Sequence, residues 1–425
     1  MGDVTRRTFV MGAGALAAAA AGVRRAGARE RSDRLRLAIV GVGGRGAGNL
    51  RAVAPEEIVA LCDVDERPLR AAMQAYPRAS TYVDFRAMLD DGGLDAVVIS
   101  TPDHTHACVS LAAMSAGLHV YCEKPLCRTV AEVRDVSELA RRRGLVTQHG
   151  TQIHAGSNYR RVVELVRSGA IGVVREVHTW VGGGFDPVPF PTDTPPLPPG
   201  LHWDLWLGPS ALRPYHPEIA PFRWRRWWAY GNGQLGDFGC HHMDLAHWAL
   251  DLRDCVRVEA EGPPPHQDSA PPWLVVRYDY PARGDQPPVR LTWYNGDRRP
   301  PQMAEGAAPA WAAGNLFVGS RGMLIADYGR HELLPARDFE GFVPPPASIP
   351  DSMGHHREWL EAIRTGGTTT CNFDYAGALT ETVLLGNVAY RVGEALEWDA
   401  RALRARNSRA AADLIRQPPR AGWQV

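Results

Sequence analysis

Lysine is almost missing from this chain. Of its 47 basic side chains in 425 residues, one, Lys124, is a lysine and the rest are arginines. An excess of either charge is also missing, since 47 acidic residues balance the 47 basic ones. That balance gives no reason to expect nucleic acid or a charged membrane as partner. Long apolar runs are lacking too. The single mild run, Met11 to Gly22, is short and rich in Ala and Gly, and no other stretch approaches the ~18 residues of a membrane span. CxxC pairs are absent. The seven cysteines (Cys62, Cys108, Cys122, Cys127, Cys240, Cys255 and Cys371) are odd in number and widely spaced. This argues against a zinc ribbon, a redox dithiol and a small disulfide framework. Several sit in apolar stretches, as small buried hydrophobes do. What is present is an ordinary globular balance, 45% hydrophobic and 22% charged. Its length suits two or three domains at ~150 residues each. Gly (43) and Pro (34) are frequent but not periodic, so the chain is loop-rich and not collagen-like.

The beginning of the chain reads as an export signal. Thr5-Arg6-Arg7-Thr8-Phe9-Val10 precedes the Met11–Gly22 run, and Ala26-Gly27-Ala28 offers a small-x-small cleavage site. The paired arginines resemble a twin-arginine signal over residues 1–28, which implies an exported, periplasmic or extracytoplasmic protein. That route carries proteins already folded, which suits free cysteines and a cofactor loaded before export. No membrane span is expected once the signal is removed.

From Leu35 short apolar runs alternate with helical patterns. Leu35–Val40, Ile58–Cys62, Leu94–Ser100, His119–Cys122 and Leu145–Thr147 read as buried strands. Gly44–Ala54 reads as a helix, and Val130, Val133, Val136 and Leu139 mark another by their threefold spacing. This alternation predicts a doubly wound parallel sheet over residues 35–150. The first strand ends in Gly41-Val42-Gly43-Gly44-Arg45-Gly46, a GxGxxG that follows a strand and opens a helix. Gly41 would make the tight turn, Gly43 would let backbone approach a pyrophosphate, and Gly46 would let helix and strand pack closely. The helix N-terminus presents N–H groups and a positive dipole end to phosphates. Asp63 stands 22 positions after Gly41 at the end of the second strand, where it would accept hydrogen bonds from ribose hydroxyls. It would repel a 2′-phosphate, which favours NAD; Arg45 could touch phosphate and leaves NADP open.

Lys124 follows the strand His119–Cys122 in Glu123-Lys124-Pro125, at the carboxyl edge where open α/β sheets bind ligands. Thr101-Pro102-Asp103-His104-Thr105-His106 leaves the preceding core strand at the same edge. Arginine holds its proton in a protein, whereas lysine can release one. A lone lysine at this edge is therefore a candidate titrating or polarising group. With these residues in view, the chain resembles the Gfo/Idh/MocA oxidoreductases, the glucose–fructose oxidoreductase and inositol dehydrogenase superfamily. The resemblance rests on Gly41–Gly46, Asp63, Thr101-Pro102 with His106, Glu123-Lys124-Pro125 and, in the second half, Gly236-Asp237-Phe238-Gly239-Cys240-His241. It implies an N-terminal Rossmann domain over 35–150. It also implies a C-terminal α/β domain over 151–425 with an open, mostly antiparallel sheet that covers the nicotinamide or serves as an oligomer interface. Gly41, Gly43, Arg45, Gly46, Asp63, Thr101, Pro102, His106 and Glu123 are then expected at the cofactor, and a homo-oligomer is expected.

All thirteen tryptophans fall between Trp180 and Trp423, so the two halves differ in composition. Tyr159–Arg167 reads as a helix, and Val173–Val181, Trp273–Tyr280 and Val289–Tyr294 read as strands. The Pro-rich pieces at 187–199, 263–272 and 344–346 read as surface loops. Asp237 and His241 are four apart, so a helical turn puts them on one face, as a base and its orienting carboxylate would be. The resemblance implies that His241 removes a hydroxyl proton, that Asp237 supports it and that Lys124 polarises the substrate oxygen. A rival reading gathers Asp237, His241, His242, Asp244 and His247 as metal ligands; helical spacing sends His242 and His247 elsewhere, and no metal is expected. Trp224, Trp227, Trp228 and Tyr230 suit either the C–H faces of sugar rings or the domain core. Of these Trp228 is taken as a substrate contact, and so is His154, where some family members carry arginine. Trp203-Asp204-Leu205-Trp206-Leu207-Gly208-Pro209 resembles a segment common in exported members, with no role that the sequence reveals.

The expected activity is hydride transfer between a sugar or polyol hydroxyl and a tightly held NAD. Export argues for recycling the cofactor within the site. Two alternatives stay open: a redox-neutral NAD-dependent glycoside hydrolase, and a non-catalytic NAD-holding sugar sensor.

Overall fold

A computed structural model describes residues 34–424. The expected signal at 1–28 lies outside the described residues. From Leu35 the chain forms one compact unit built on two sheets. The first contains β1 (Arg36–Val40), β2 (Glu57–Cys62), β3 (Ser80–Tyr82), β4 (Ala96–Ile99), β5 (His119–Cys122) and β6 (Thr147–His149). Their order is β3-β2-β1-β4-β5-β6 and every pairing is parallel. That is the doubly wound order with its switch point beside β1. The strands carry continuous Ala, Val, Ile and Leu because helices cover both faces; Leu37, Ala38, Ile39 and all of Ala96–Ile99 have no exposed surface. The crossover helix Val130–Arg143 starts at a capping box, in which the Thr129 hydroxyl accepts from the Glu132 N–H and the Glu132 carboxylate accepts from the Thr129 N–H.

The second sheet contains β7 (Val174–Val181), β8 (Arg257–Glu261), β9 (Val275–Tyr280), β10 (Val289–Asn295), β11 (Gly314–Gly319), β12 (Met323–Ala326), β13 (His331–Leu334), β14 (Leu396–Asp399) and β15 (Arg404–Ala405). Its order is β13-β12-β11-β7-β10-β9-β8-β14-β15. The β7–β10 pair is parallel and the other pairs are antiparallel, so the sheet is mostly antiparallel.

The split at residue 150 is crossed twice. The helix His355–Thr365 returns to the first sheet, where Trp359 and Leu360 join Leu37, Ile39, Val98 and Tyr121 in one apolar cluster. The helix Phe373–Val392 is buried on nearly every side, between Val130–Arg143 and the second sheet. Its Leu379, Val383 and Leu384 belong to a single core that runs from Val97 to Trp293. The two sheets are therefore fixed to each other, and a cleft opens at the carboxyl edge of the first. All seven cysteines are free and buried. Among the described residues no helix is long and apolar enough to cross a membrane.

Candidate active site

The cleft begins at the Gly-rich turn. Gly41 has φ +83°, and a Cβ there would stand 2.8 Å from the carbonyl of Ser100. A Cβ on Gly46 would stand 1.8 Å from the Gly41 oxygen. These two glycines therefore set the turn and the closeness of the helix Arg45–Ala52, while Gly43 faces the cleft. Asp63 pins the turn from the end of β2: its Oδ2 accepts from the Val42 N–H (2.9 Å) and its Oδ1 from the Asp65 N–H (2.9 Å). Burial raises its carboxyl above the usual range, against the pull of those N–H groups. It still lines the cleft, with lone pairs left for a ribose hydroxyl.

Glu123 ties the turn to the end of β5. Its Oε1 accepts from Arg45 Nε (3.0 Å), Asn49 Nδ2 (2.9 Å) and Gln152 Nε2 (2.8 Å). Arg45 is thereby held at the cleft wall. The cleft encloses about 590 Å³, within the size of ligand pockets. Gly41, Gly43, Arg45, Asp63, Thr101, Pro102, Glu123, Lys124 and His241 all line it. The Thr101 Oγ1 is buried with no hydrogen-bond partner.

Lys124 meets the second half here. Its ammonium donates to Asp237 Oδ1 at 2.5 Å and to the Asp237 carbonyl oxygen, and both side chains are largely shielded, 14% and 20% exposed. Asp237 lies on the helix Gly233–His242, as does His241. Arg225 Nε approaches the same Oδ1 at 3.2 Å. Burial alone would raise the Asp237 carboxyl; the charges of Lys124 and Arg225 outweigh it and hold the group below the usual range. Beside them Asp103 is 4% exposed, and burial pushes it up to about 7 despite the attraction of Arg225 and Lys124. Burial first and then the Lys124 charge drive His241 well below the ordinary histidine value. Its ring nitrogens have no hydrogen-bond partner among the described residues, so it presents a neutral imidazole to the cleft. Asp237 and His241 share a helix face, but the Asp237 carboxylate is engaged by the two cations and does not hydrogen-bond the imidazole.

Four expected contacts sit elsewhere. Gly46 supports the turn from behind, against the Gly41 oxygen, and does not line the cleft. His106 is 1% exposed behind the cleft, where Nδ1 faces the Pro125 oxygen (2.8 Å) and Nε2 the Thr101 oxygen (2.8 Å). Burial lowers it, but the Cys122 thiol and these carbonyls outweigh that and raise it to about 9. It braces two cleft-lining loops and does not touch the cleft. His154 is 1% exposed, stacked on Trp248 at 3.9 Å and bonded to Asp244 Oδ1 at 2.9 Å. The 3₁₀ turn Gln152–Ala155 aims Gln152 into the cleft and His154, two positions on, into the core. Trp228 is core as well: its indole N–H donates to the His266 oxygen (3.2 Å) and its ring packs under Arg391. The 3₁₀ turn Arg223–Arg226 instead sends Trp224 and Arg225 to the cleft. The proposed metal ligands part company: His242 bonds the Tyr328 hydroxyl, His247 bonds the Tyr280 hydroxyl, and Asp244 pairs with His154. Sequence reasoning missed Asp103, Gln152, Arg225 and Trp423 as lining residues; no periodicity or spacing marks them.

Residues 35–151 match the profile described as "Oxidoreductase family, NAD-binding Rossmann fold", and residues 159–291 match "Oxidoreductase family, C-terminal alpha/beta domain". An inositol 2-dehydrogenase from Salmonella paratyphi B is 33% identical over 150 residues, 34% of this chain and 45% of that protein. A glycosyl hydrolase family 109 protein from Shewanella pealeana is 31% identical over 156 residues, 33% of each chain. The chain thus spans half or less of the length of these curated relatives. The solved NAD-binding protein from Listeria innocua superposes with a TM-score of 0.61 at 18% identity, covering 86% of this chain and 97% of that one, which is a likeness of fold.

Proposed function

Because the chain belongs to the Gfo/Idh/MocA oxidoreductase family, we propose that it is an NAD-dependent oxidoreductase acting on a hydroxyl of a sugar or polyol. One observation carries this reading: Lys124 and His241, from two halves of the chain, line the cleft that also holds Gly43 and Asp63, and Asp237 pairs with Lys124 at its wall. In the order β2-β1-β4-β5, Asp63 after β2 and Lys124 after β5 are three strand spacings apart, ~14 Å. That suits an extended dinucleotide with ribose at Asp63 and nicotinamide at Lys124. A bound NAD would supply the hydride acceptor. The neutral His241 imidazole takes the hydroxyl proton as the C–H pair leaves as hydride, so a hydroxyl becomes a carbonyl. Lys124 spends two of its three N–H groups on Asp237; the third is left to polarise the substrate oxygen. Asp237 fixes that ammonium, and Arg225 fixes Asp237.

Asp63 favours NAD over NADP. The twin-arginine reading of residues 1–28 makes this an exported enzyme that loads its cofactor before export. The assembly we propose is a homo-oligomer. A second reading, redox-neutral glycoside cleavage, draws on the likeness to the Shewanella protein. The test is absorbance at 340 nm with NAD against sugars, polyols and glycosides, for the unmodified protein and Lys124→Ala. NADH should form with at least one polyol or sugar, and Lys124→Ala should lose ~10²–10⁴-fold in turnover while still binding NAD. Unchanged turnover in that variant would overturn the proposal. Aglycone release without net NADH would select the second reading.

A further inference from the structure

The segment Trp203–Pro209 ends 211 positions before Arg420, yet it and the stretch from Arg420 to Trp423 form one structure. Arg420 clamps them together. Its Nη1 donates to Asp204 Oδ1 (2.8 Å), its Nη2 to the Asp204 oxygen (2.9 Å), its Nε to the Gly208 oxygen (2.8 Å), and its backbone N–H to the Pro209 oxygen (2.9 Å). The clamp delivers Trp423 to the cleft. Its indole is 7% exposed, 6.2 Å from the Phe85 ring, with the Arg86 guanidinium over it at 4.6 Å. Gly208 lets the two pieces meet: a Cβ there would stand 2.8 Å from the Thr105 methyl and 3.7 Å from the Trp423 ring.

The place of this indole decides its use. Phe85 follows β3, and Thr105, beside Gly208, lies in the helix after β4, so Trp423 stands between these two, on the Asp63 side of the cleft and away from Lys124 after β5. There the cleft is lined by Val83, Phe85, Leu205 and Trp423, an apolar and aromatic box with Asp63 at its edge. A flat, weakly polar ring attached to a ribose is the ligand that such a box fits.

We infer that Trp423, positioned by the Arg420 clamp on Asp204, Gly208 and Pro209, forms the wall on which the adenine ring of the dinucleotide packs. This rests on the NAD reading above and assigns a use to Trp203–Pro209, the scaffold that holds the wall in place. The last part of the cofactor site comes from the far end of the described chain, not from the nucleotide-binding half.

The test is calorimetric titration of the full chain with NAD and with ADP-ribose, which lacks nicotinamide. The variants are Trp423→Phe, Trp423→Leu and Arg420→Ala, with the unfolding midpoint of each free protein measured alongside. Trp423→Phe should keep most of the affinity for ADP-ribose, whereas Trp423→Leu, which keeps apolar bulk without an aromatic face, should weaken it about tenfold. Arg420→Ala should weaken it in the same direction. Equal ADP-ribose affinity in the unmodified protein and Trp423→Leu would overturn the inference even if the midpoint fell, because a merely structural tryptophan moves only the midpoint. Should the unmodified protein bind neither NAD nor ADP-ribose, the NAD reading fails and this inference with it.

Discussion

Replacing Gly46 with alanine probes the cradle with one methyl group. The new Cβ would stand 1.8 Å from the Gly41 oxygen, and real Cβ atoms do not come closer than about 3.0 Å. The helix Arg45–Ala52 would have to retreat by roughly 1.2 Å from the turn it supports. It cannot do so freely, because Asn49 is wholly buried and hydrogen-bonded to Glu123 and Ser100, and Leu50 is packed in the core. Overpacking of this kind costs about 1–3 kcal/mol of stability. A displacement near 1 Å at a site positioned for reaction costs about 10²-fold in rate. Gly48→Ala is the control. Its Cβ would meet nothing closer than 3.9 Å, so exchanging a helical glycine there should stabilise by about 0.5–1 kcal/mol. Urea unfolding and calorimetric NAD titration on both variants read the two effects. Gly46→Ala should be less stable and bind NAD more weakly, and Gly48→Ala should be slightly more stable with binding intact. A Gly46→Ala protein that binds NAD as the unmodified chain does would refute the reasoning.

Asp63 carries the dinucleotide preference, so Asp63→Ser should narrow the NAD-over-NADP affinity ratio by about tenfold or more, the worth of one charge contact; an unchanged ratio in parallel titrations counts against that role. Buried histidines make the fold acid-sensitive. Burial lowers His104 and His247 to about 3 and His242 and His355 to about 4. The unfolded chain takes up protons that these rings refuse when folded, so their stability is full above pH ~6.5 and is lost as pH falls, by about 2 kcal/mol per ring at pH 5. Asp103, raised to about 7, and His106, raised to about 9, work the other way over this range and offset part of it. The urea midpoint should therefore be lower at pH 5 than at pH 7.5; an equal or higher midpoint would contradict this balance.

The parallel sheet was legible because its signals are local. Strand, glycine turn and helix follow one another from Arg36 to Ala52, and the apolar runs mark their own burial. Edges were less so: β6 begins at Thr147, two residues later than the run Leu145–Thr147 suggests, and β3 is too short and exposed to announce itself. The helix His355–Thr365 looks like any amphipathic helix, and nothing in it says that its apolar face belongs to the first sheet. At the site, Lys124 could be found from its rarity and its strand edge, and the four-residue step from Asp237 to His241 from helical spacing. Arg225 and Trp423 could not. They reach the cleft through irregular backbone whose course is set by tertiary contacts such as the Arg420 clamp. His154 and Trp228 show the same limit: residue type suggested ligand contact, but the 3₁₀ turns beside them send Gln152 and Arg225 to the cleft in their stead.

The most direct measurement is a crystal structure of the full chain with NAD and a competitive polyol bound. One polyol hydroxyl should lie ~2.6–3.2 Å from both the Lys124 ammonium and the His241 imidazole, with its carbon ~3–3.5 Å from the nicotinamide carbon that accepts hydride. A nicotinamide ring turned away from Lys124, or a hydroxyl that touches neither side chain, would contradict the account.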